Sequence, residues 1–373
     1  MKKQRIPAIE YIRGISMLGV IGIHTGSQYL GNPGTNVHLI ALFEIFTRFS
    51  VPIFFFISAF GLFYNMDLQE TFKYKDFLQR RFKTVLVPYL AWSAFYMLHY
   101  TFLYHDASLL SIPIIFKYLF FGFACYQLYF LVIMLWFYLL MPIWIFMVKR
   151  MTSFYLLLLL IAQIAFDYYS SFIMNPYGIE NQLLKALLVN RLNYWVLHYI
   201  FIFVLGGYLA VHYISFQQFM QKRRNAIYIF AAASMASLLS YYYYLIYAKG
   251  YDVEGAINTA HQLCPAGIFY TIGASLFLFT VFSNNSTSSK FHDLLAFLGR
   301  HSYFAYLFHP VIITYLSLLL AWNNLIMTGK TALLFYLLVV ILSLFVAAIV
   351  RKIGSKFPLL NRLTIGIAPK RTS

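Results

Sequence analysis

The chain alternates between long apolar runs and short polar loops. Ten of the runs are about 20 residues long, the length that an α-helix needs to cross the hydrocarbon core of a bilayer. The loops between them carry turn residues, for example Gly31-Asn32-Pro33-Gly34. This pattern predicts an all-α integral membrane protein of about ten transmembrane helices, in a single domain over 1-373. The predicted helices cover residues 8-30, 39-64, 85-103, 125-148, 154-173, 194-212, 226-247, 263-282, 303-321 and 332-350.

The composition agrees with a membrane protein and excludes a soluble one. Of the residues, 61% are hydrophobic and 10% are charged, and the mean hydropathy is +0.71. In soluble domains about half of the residues are apolar and about a quarter are charged. The first apolar run follows a basic N-terminus, as in a signal peptide, but no small-residue cleavage site follows it. We therefore expect this run to be retained as the first helix.

The formal net charge of +17 is explained by the sides of the membrane on which the cations lie. When the loops are assigned alternately to two sides, the side of the N-terminus carries 20 of the 28 Lys and Arg residues. Because cation-rich loops stay in the cytoplasm, both termini are predicted to be cytoplasmic in a multi-pass protein of the plasma membrane. The charge therefore requires no nucleic-acid partner. The opposite side carries only Lys117, Lys185, Arg191, Lys249 and Lys330.

Helix 1 carries two ionisable residues, Arg13 and His24, which are eleven residues apart. That spacing is about three turns, so both side chains lie on nearly the same face, with a rise of about 16 Å between them. A snorkelling Arg and a hydrogen-bonded core His would explain the pair structurally. However, each ionisable group costs about 2.5–3.5 kcal/mol in a membrane helix. Small residues also flank His24, so a ligand or another helix can approach it, and a functional role is favoured.

Further charges lie on helix 2 and before helix 3. Glu44 and Arg48 are four residues apart and are predicted to form a structural ion pair. Arg80, Arg81 and Lys83 stand at the entrance of helix 3, where cations commonly anchor a helix to the cytoplasmic side. The same cations suit the phosphates of a nucleotide-like ligand. Their spacing alone favours the anchoring role.

Helix 9 carries three polar residues on one face. Ser302, Tyr306 and His309 are spaced four and three residues apart, so they line up along the helix. They predict either a polar pocket or a lone interhelical hydrogen bond. The sequence contains no phosphate-binding Gly-rich loop, no HExxH motif and no GxSxG motif, and its two cysteines have no metal-ligand spacing. We therefore expect no metal site.

The order of these motifs resembles the acyltransferase-3 family of integral membrane acyltransferases. The resemblance covers most of the chain and implies ten helices with cytoplasmic ends, without the extracytoplasmic esterase-like domain that some members carry. The sequence departs from the family pattern at Thr84, where an Arg is frequent, and at Tyr129, where Trp is common. The stretches that carry the resemblance are Arg13 with His24, 54-61, 80-89, 126-131, 205-208 and 302-309.

The resemblance implies transfer of an acyl group, commonly acetyl, from cytoplasmic acyl-CoA to a hydroxyl of a cell-surface glycan or lipid-linked sugar. The acyl-CoA would be a co-substrate, with no permanently bound cofactor. His24 could act as general base, since an imidazole titrates near neutrality, or it could carry the acyl group itself. Arg13 could bind the donor phosphates or stabilise negative charge at the thioester carbonyl. The other predicted contacts are Arg80, Arg81 and Lys83 to the CoA phosphates, and Tyr129, Ser302, Tyr306 and His309 to the substrate.

A transporter or flippase for a glycan or glycolipid is the alternative interpretation. Such a protein would use the same buried polar residues as a path, without acyl chemistry. Transporters often have duplicated halves with interrupted helices in matching positions, and the sequence shows no such repeat.

Overall fold

The protein folds almost entirely into helices. The computed structural model describes residues 5–32, 34–283 and 290–366, and within these ranges no strand is formed. The prediction of an all-α protein is therefore confirmed. The α-helices are α1 Pro7–Leu30, α2 Val37–Ile40, α3 Ser50–Tyr64, α4 Tyr74–Arg81, α5 Val87–Tyr104, α6 Ile112–Phe121, α7 Tyr129–Leu139, α8 Met141–Arg150, α9 Ser153–Tyr168, α10 Gln182–Val189, α11 Ile200–Val211, α12 Tyr213–Lys222, α13 Arg224–Tyr247, α14 Val253–Thr259, α15 Pro265–Ser283, α16 Lys290–Trp322, α17 Gly329–Lys356 and α18 Pro358–Ile365.

Shorter helical turns interrupt or join these helices. Three are π-helical, which is a wider turn that occurs frequently at functional sites. They cover Ala41–Ile45, Phe82–Leu86 and Tyr169–Ile173. The 3₁₀ turns cover Ala107–Leu110, Pro176–Gly178, Arg191–Asn193 and Val196–Tyr199.

Six helical segments among the described residues are long and apolar enough to cross a membrane, and the number rises to eight if two bent pairs each count as one span. The protein is thus a multi-pass membrane protein. The bent pairs are Tyr129–Leu139 with Met141–Arg150, at 67°, and Val196–Val211 with Tyr213–Lys222, at 96°. The six spans are Val37–Tyr64, Ser153–Ile173, Arg224–Tyr247, Pro265–Ser283, Lys290–Trp322 and Gly329–Lys356.

The remaining two predicted spans are α1 and α5, which are helical but lie outside this set. In α1, charged residues and several glycines dilute the apolar character. A total of ten spans and the cytoplasmic location of the termini stay predictions. Of the cations that support this location, Lys2, Lys3, Lys370 and Arg371 lie outside the described residues.

Several predicted helix bounds are corrected by the structure. The helix predicted over 303-321 begins at Lys290, because polar residues interrupt the apolar run without interrupting the backbone hydrogen bonds. The helix predicted over 125-148 begins at Tyr129 and bends after Leu139, and a new helix begins at Met141 with Pro142 in its first turn. The helix predicted over 194-212 bends sharply at its end into α12.

The described chain divides into two compact units. Unit 1 contains the described residues of Met1–Asp67, Met151–Ile173 and Tyr199–Leu344. Unit 2 contains those of Leu68–Arg150, Met174–His198 and Phe345–Ser373. A single membrane domain over the whole chain stays a prediction.

Glycines bring the central helices of unit 1 into close contact. Helix α1 packs along α16, and a Cβ on Gly14 would lie 2.8 Å from the Cβ of Leu298. A Cβ on Gly299 would in turn collide with the backbone of Glu10. Helix α3 packs along α11 in the same way, where Gly206 meets the backbone of Phe56. Small residues at these positions let membrane helices approach closely.

Helices α1 and α16 run parallel to each other. Tyr11 stacks on His292 near the start of both helices, and Ser317 donates to Gln28 near the far end. Residue numbers at the contacts thus increase in the same direction along both helices. Gly14 and Gly299 mark the same level on the two helices. Residues ten positions after each glycine therefore also lie at one level, about 15 Å further along the helices.

Unit 2 is organised around α5. The Tyr89 hydroxyl donates to the carbonyl of Leu119 at 2.6 Å, and the Trp92 indole donates to the carbonyl of Thr364 at 3.0 Å. Gly366 has a left-handed φ of 68°, and a Cβ there would lie too close to the carbonyl oxygen of Thr84. A side chain at Gly366 would be strained and would also collide there. These contacts hold the segment that follows Arg80 and Arg81.

Candidate functional site

Two histidines lie together in unit 1. The rings of His24 on α1 and His309 on α16 stack with their centroids 5.3 Å apart and their planes 20° from parallel. His309 is fully buried, whereas His24 keeps part of its surface accessible. The parallel register of the two helices produces this contact, since each histidine follows the close glycine contact by about ten residues. The structure thus joins the predicted catalytic residue of helix 1 to a predicted substrate-binding residue of helix 9.

The backbone of α16 orients the ring of His309. Its Nδ1 lies 3.3 Å from the carbonyl oxygen of Ala305, and the ring also interacts with the backbone of Tyr306. A carbonyl can only accept, so we assign the hydrogen to Nδ1 and the lone pair to Nε2. The next residue, Pro310, has no N–H, which deprives the carbonyl of Tyr306 of its usual helical donor. His309 therefore fills a polar gap in the helix while presenting a basic nitrogen.

A buried ion pair lies beside the histidines. Arg48 Nη2 is 3.2 Å from Glu44 Oε2, and the side chains are 13% and 4% exposed. Ser27, one turn after His24 on α1, donates to Glu44 at 3.2 Å, and Arg48 also donates to the carbonyl of Ile257 at 3.3 Å. The positive charge of Arg48 acts on the His24 ring. The sequence predicted the pair itself but contained no signal that it borders His24.

The backbone around Glu44 departs from an ordinary α-helix. Residues Ala41–Ile45 form a π-helical turn, closed by the N–H of Phe46 donating to the carbonyl of Ala41 at 2.9 Å. Across this turn, Gly26 of α1 approaches so closely that a Cβ there would lie 2.9 Å from the Glu44 side chain. The wide turn and the small residue together place a carboxylate against α1.

Arg13 lies on the same helix as His24 but away from the histidine pair. It is exposed, and α1 is continuous between the two residues, so about 16 Å of helix separates them. This separation matters for the role that Arg13 can have.

The remaining candidates on α16 differ from each other. Tyr306 lies between Phe54, with ring centroids 6.4 Å apart, and His309, at 6.2 Å. Tyr306 is therefore part of the cluster around the histidines. Ser302 is buried and donates to the carbonyl of Gly299 in its own helix at 2.8 Å, so its hydroxyl hydrogen is directed to the backbone.

Unit 2 contains the cations predicted to bind the donor. The guanidinium of Arg81 lies over the rings of Phe77, at 5.4 Å, and Tyr138, at 5.5 Å, and is half-buried. Arg80 and Lys83 are exposed. The π-helical turn Phe82–Leu86 follows directly. The three cations therefore differ: Arg81 is fixed by aromatic packing, and the other two are available to a ligand.

Tyr129 is the other predicted substrate contact in unit 2. It is the first residue of α7 and is half-buried. Gly122, with a φ of 75°, ends α6 against it, and a Cβ there would lie 2.5 Å from the Cα of Tyr129. Only glycine permits this approach.

The described residues contain no group of three or more His, Cys, Asp or Glu side chains placed to hold a metal ion. The side chains around His24 are those of His309, Arg48, Glu44 and Tyr306, which supply imidazole, guanidinium, carboxylate and phenol groups. Such groups move protons and stabilise charge.

Comparison with known proteins identifies the family. The family model described as an acyltransferase domain matches residues 6–352, which is nearly the whole chain and includes every candidate residue above. Neither a curated protein nor a solved structure matches the chain. The multi-pass helical fold agrees with this match. The chain belongs to the acyltransferase-3 family of membrane acyltransferases.

Proposed function

We propose that the protein transfers an acyl group, acetyl in the first instance, from acyl-CoA to a hydroxyl of a cell-surface glycan or lipid-linked sugar. The observation that carries the proposal is the stacked pair of His24 and His309, placed inside the helices of unit 1. Placing two imidazoles between the helices of a membrane protein is costly, which favours a functional role for them. Proton transfer in acyl transfer supplies that function for a chain of this family.

In the proposed reaction His24 is the general base. It takes the proton of the acceptor hydroxyl while the oxygen attacks the thioester carbonyl carbon, which forms a tetrahedral intermediate. The C–S bond then breaks, the CoA thiolate leaves, and the imidazolium returns the proton to give the CoA thiol and the acyl ester. His309 backs the ring of His24 and keeps it oriented. The packed helices limit the access of water to the thioester.

Arg13 and Arg48 have different proposed roles. The charge of Arg48 reaches His24, so Arg48 can stabilise the oxyanion that develops on the carbonyl. Glu44 holds the guanidinium in place. Arg13, about 16 Å away along α1, suits a contact to the phosphates of the donor rather than to the reacting carbonyl.

The donor is proposed to bind through exposed cations of unit 2. Arg80 and Lys83 are free to turn toward the CoA phosphates, whereas Arg81 is packed on aromatic rings. Replacement of Arg80 or Lys83 by Gln should raise the KM for acetyl-CoA with little change in kcat. The matched control is Arg150→Gln, a cation on the same predicted side that lies over Phe146 at 3.9 Å.

The orientation in the plasma membrane is proposed from the distribution of the cations. The parallel course of α1 and α16 agrees with the proposed count of ten spans, which would make both of these helices cross in the same direction. The orientation would be tested with Lys222→Cys and Lys330→Cys, each made in a protein in which Cys125 and Cys264 are replaced by Ala. An impermeant maleimide added to intact cells should label only the cysteine at 330, and labelling of both or of 222 alone would contradict the orientation.

The experiment that tests the function uses purified protein in liposomes with radiolabelled acetyl-CoA and a cell-surface glycan extract. We expect release of CoA thiol and a labelled glycan, and loss of both with His24→Ala. His212→Ala is the control, since His212 is exposed and lies outside this cluster. Undiminished turnover by His24→Ala would refute the assignment of the base. Label retained on the protein after the donor alone would show an acyl-enzyme instead of direct transfer. Movement of the glycan across the bilayer without CoA release would support a transporter.

A further inference from the structure

A crevice of about 590 Å³ opens in unit 1 where α2 and α17 begin. This volume falls within the range of sites for small ligands. Its apolar walls are Leu39, Leu42 and Leu333, and its polar groups include His38 and Lys330. Among the described residues, those that line it include no Asp or Glu.

The two kinds of lining suit an amphiphilic anion. Leu42 and Leu333 are 49% and 43% exposed, so the apolar wall is accessible from the side of the helices that would face lipid. Lys330 is exposed, and His38 is held by a hydrogen bond of 2.9 Å between its Nδ1 and the Tyr243 hydroxyl. An ammonium group attracts a phosphate as a compact point charge. An apolar chain beside a cation is the complement of a lipid chain joined to a phosphate.

The crevice lies beside the C-terminal end of α1, the helix that carries His24. Its lining residue Asn36 donates its backbone N–H to the Tyr29 hydroxyl at 2.9 Å. Tyr29 follows His24 by five residues, a rise of about 7.5 Å. Further along α17, Tyr336 donates to the carbonyl of Leu18 and its ring lies 5.6 Å from that of Phe43. Helix α17 therefore runs from the crevice past the level of His24.

We propose that this crevice binds the acceptor, and that the acceptor is a lipid whose sugar is attached through a phosphate. The chain lies on the leucines, the phosphate meets Lys330, and the sugar extends toward His24. That the bound lipid-linked sugar is the acyl acceptor rests on the proposed function, but its binding to the crevice does not require turnover. It assigns to Lys330 the selection of an anionic acceptor over a neutral one.

The test uses photolabelling, so that binding is measured apart from catalysis. The probe is decaprenyl phosphate-linked glucose with a diazirine in its chain, added to the full-length protein in liposomes of neutral lipid. A second probe has the same chain and sugar joined by a neutral ether. We expect the phosphate probe to crosslink at Leu39, Leu42 or Leu333. Its labelling should reach half-saturation at about tenfold lower concentration than that of the ether probe, a difference equivalent to about 1.4 kcal/mol of binding free energy.

Variants separate this proposal from the catalytic one. Lys330→Gln should remove the preference for the phosphate probe, and Leu333→Trp should weaken both probes by narrowing the apolar wall. Lys249→Gln is the control, because Lys249 is a cation on the same predicted side but lies over Tyr244, outside the crevice. His24→Ala should still be labelled. If His24→Ala keeps its activity, the proposed function fails while the crevice assignment stands.

Three results would overturn the proposal. One is equal labelling by the phosphate and ether probes in the natural protein. Another is the same effect of Lys330→Gln and Lys249→Gln on phosphate-probe binding. The third is full competition by phosphatidylglycerol at equal concentration, which would make the crevice a general site for anionic lipid.

Discussion

The ion pair between Glu44 and Arg48 gives a quantitative test of the site. Glu44→Gln would leave the Arg48 guanidinium buried without its counter-ion, although the amide oxygen can still accept from Ser27. Arg48→Met would leave the carboxylate buried without its cation. The double variant removes both charges and keeps similar volume. The three variants together form a double-mutant cycle.

The magnitude follows from the geometry of the pair. At 3.2 Å and an effective dielectric constant of about 20, the attraction between unit charges is about 5 kcal/mol. Breaking a buried pair by removal of one partner costs about 3–5 kcal/mol, because the other charge stays buried. Each single variant should therefore lose about that much unfolding free energy. The double variant should lose less than either single variant, since no uncompensated charge remains.

The assay is unfolding in mixed micelles with increasing SDS, followed by tryptophan fluorescence. Glu10→Gln is the matched control, because Glu10 also pairs with an arginine, at 2.5 Å, but Arg5 is 77% exposed. An exposed pair contributes about 0–1 kcal/mol. The reasoning is refuted if Glu44→Gln is no more destabilising than Glu10→Gln, or if the losses of the two single variants simply add in the double variant. Activity of the double variant should stay low, since the cation beside His24 is gone.

Three further changes have expected outcomes. His309→Phe keeps a ring against His24 but removes the Nε2 base and the hydrogen bond to the backbone. The kcat should therefore fall at least about tenfold, with the KM for acetyl-CoA unchanged. An unaltered kcat would show that His309 takes no part in the reaction. Arg81→Gln should lower the unfolding free energy by about 1–2 kcal/mol through the lost contacts with two rings, whereas the exposed Arg80→Gln should change it by less than about 0.5 kcal/mol; equal losses in SDS unfolding would contradict this difference. Gly299→Ala should lower the unfolding free energy by about 1–3 kcal/mol, because its Cβ would collide with the backbone of another helix. Gly61→Ala, which has open space around it, should be neutral or stabilising. An unchanged unfolding free energy in Gly299→Ala would show that α1 and α16 can separate.

Much of the fold was predictable because the hydrophobic pattern is a local property of the chain. All ten predicted runs coincide with helical structure, and the bend near Pro142 has a visible cause in the sequence. The start of α16 at Lys290 was missed because its first turns are polar, and polar residues do not prevent a helix whose partners bury the other face. The π-helical turn around Glu44 had no sequence signal, since it depends on how α1 packs against that segment.

The site divides in the same way between sequence and structure. The candidate residues themselves could be identified from the sequence, because ionisable groups such as His24, Arg13 and Arg48 are costly in a membrane helix. Which of them lie close together could not be identified. The sequence placed Arg13 and His24 on one face of helix 1, three turns apart, and contained no signal that His309 and Arg48 lie near His24, as the structure shows.

The sequence by itself determined that this is a helical membrane protein of the acyltransferase-3 family, because apolar length and ordered motifs are carried by the chain directly. Only the tertiary structure decided which polar groups meet. The contact between His24 and His309 depends on the parallel register of α1 and α16, and that register is set by the close approach at Gly14 and Gly299. Residues so distant in sequence share no local pattern, so the packing of side chains between the helices alone determines their pairing.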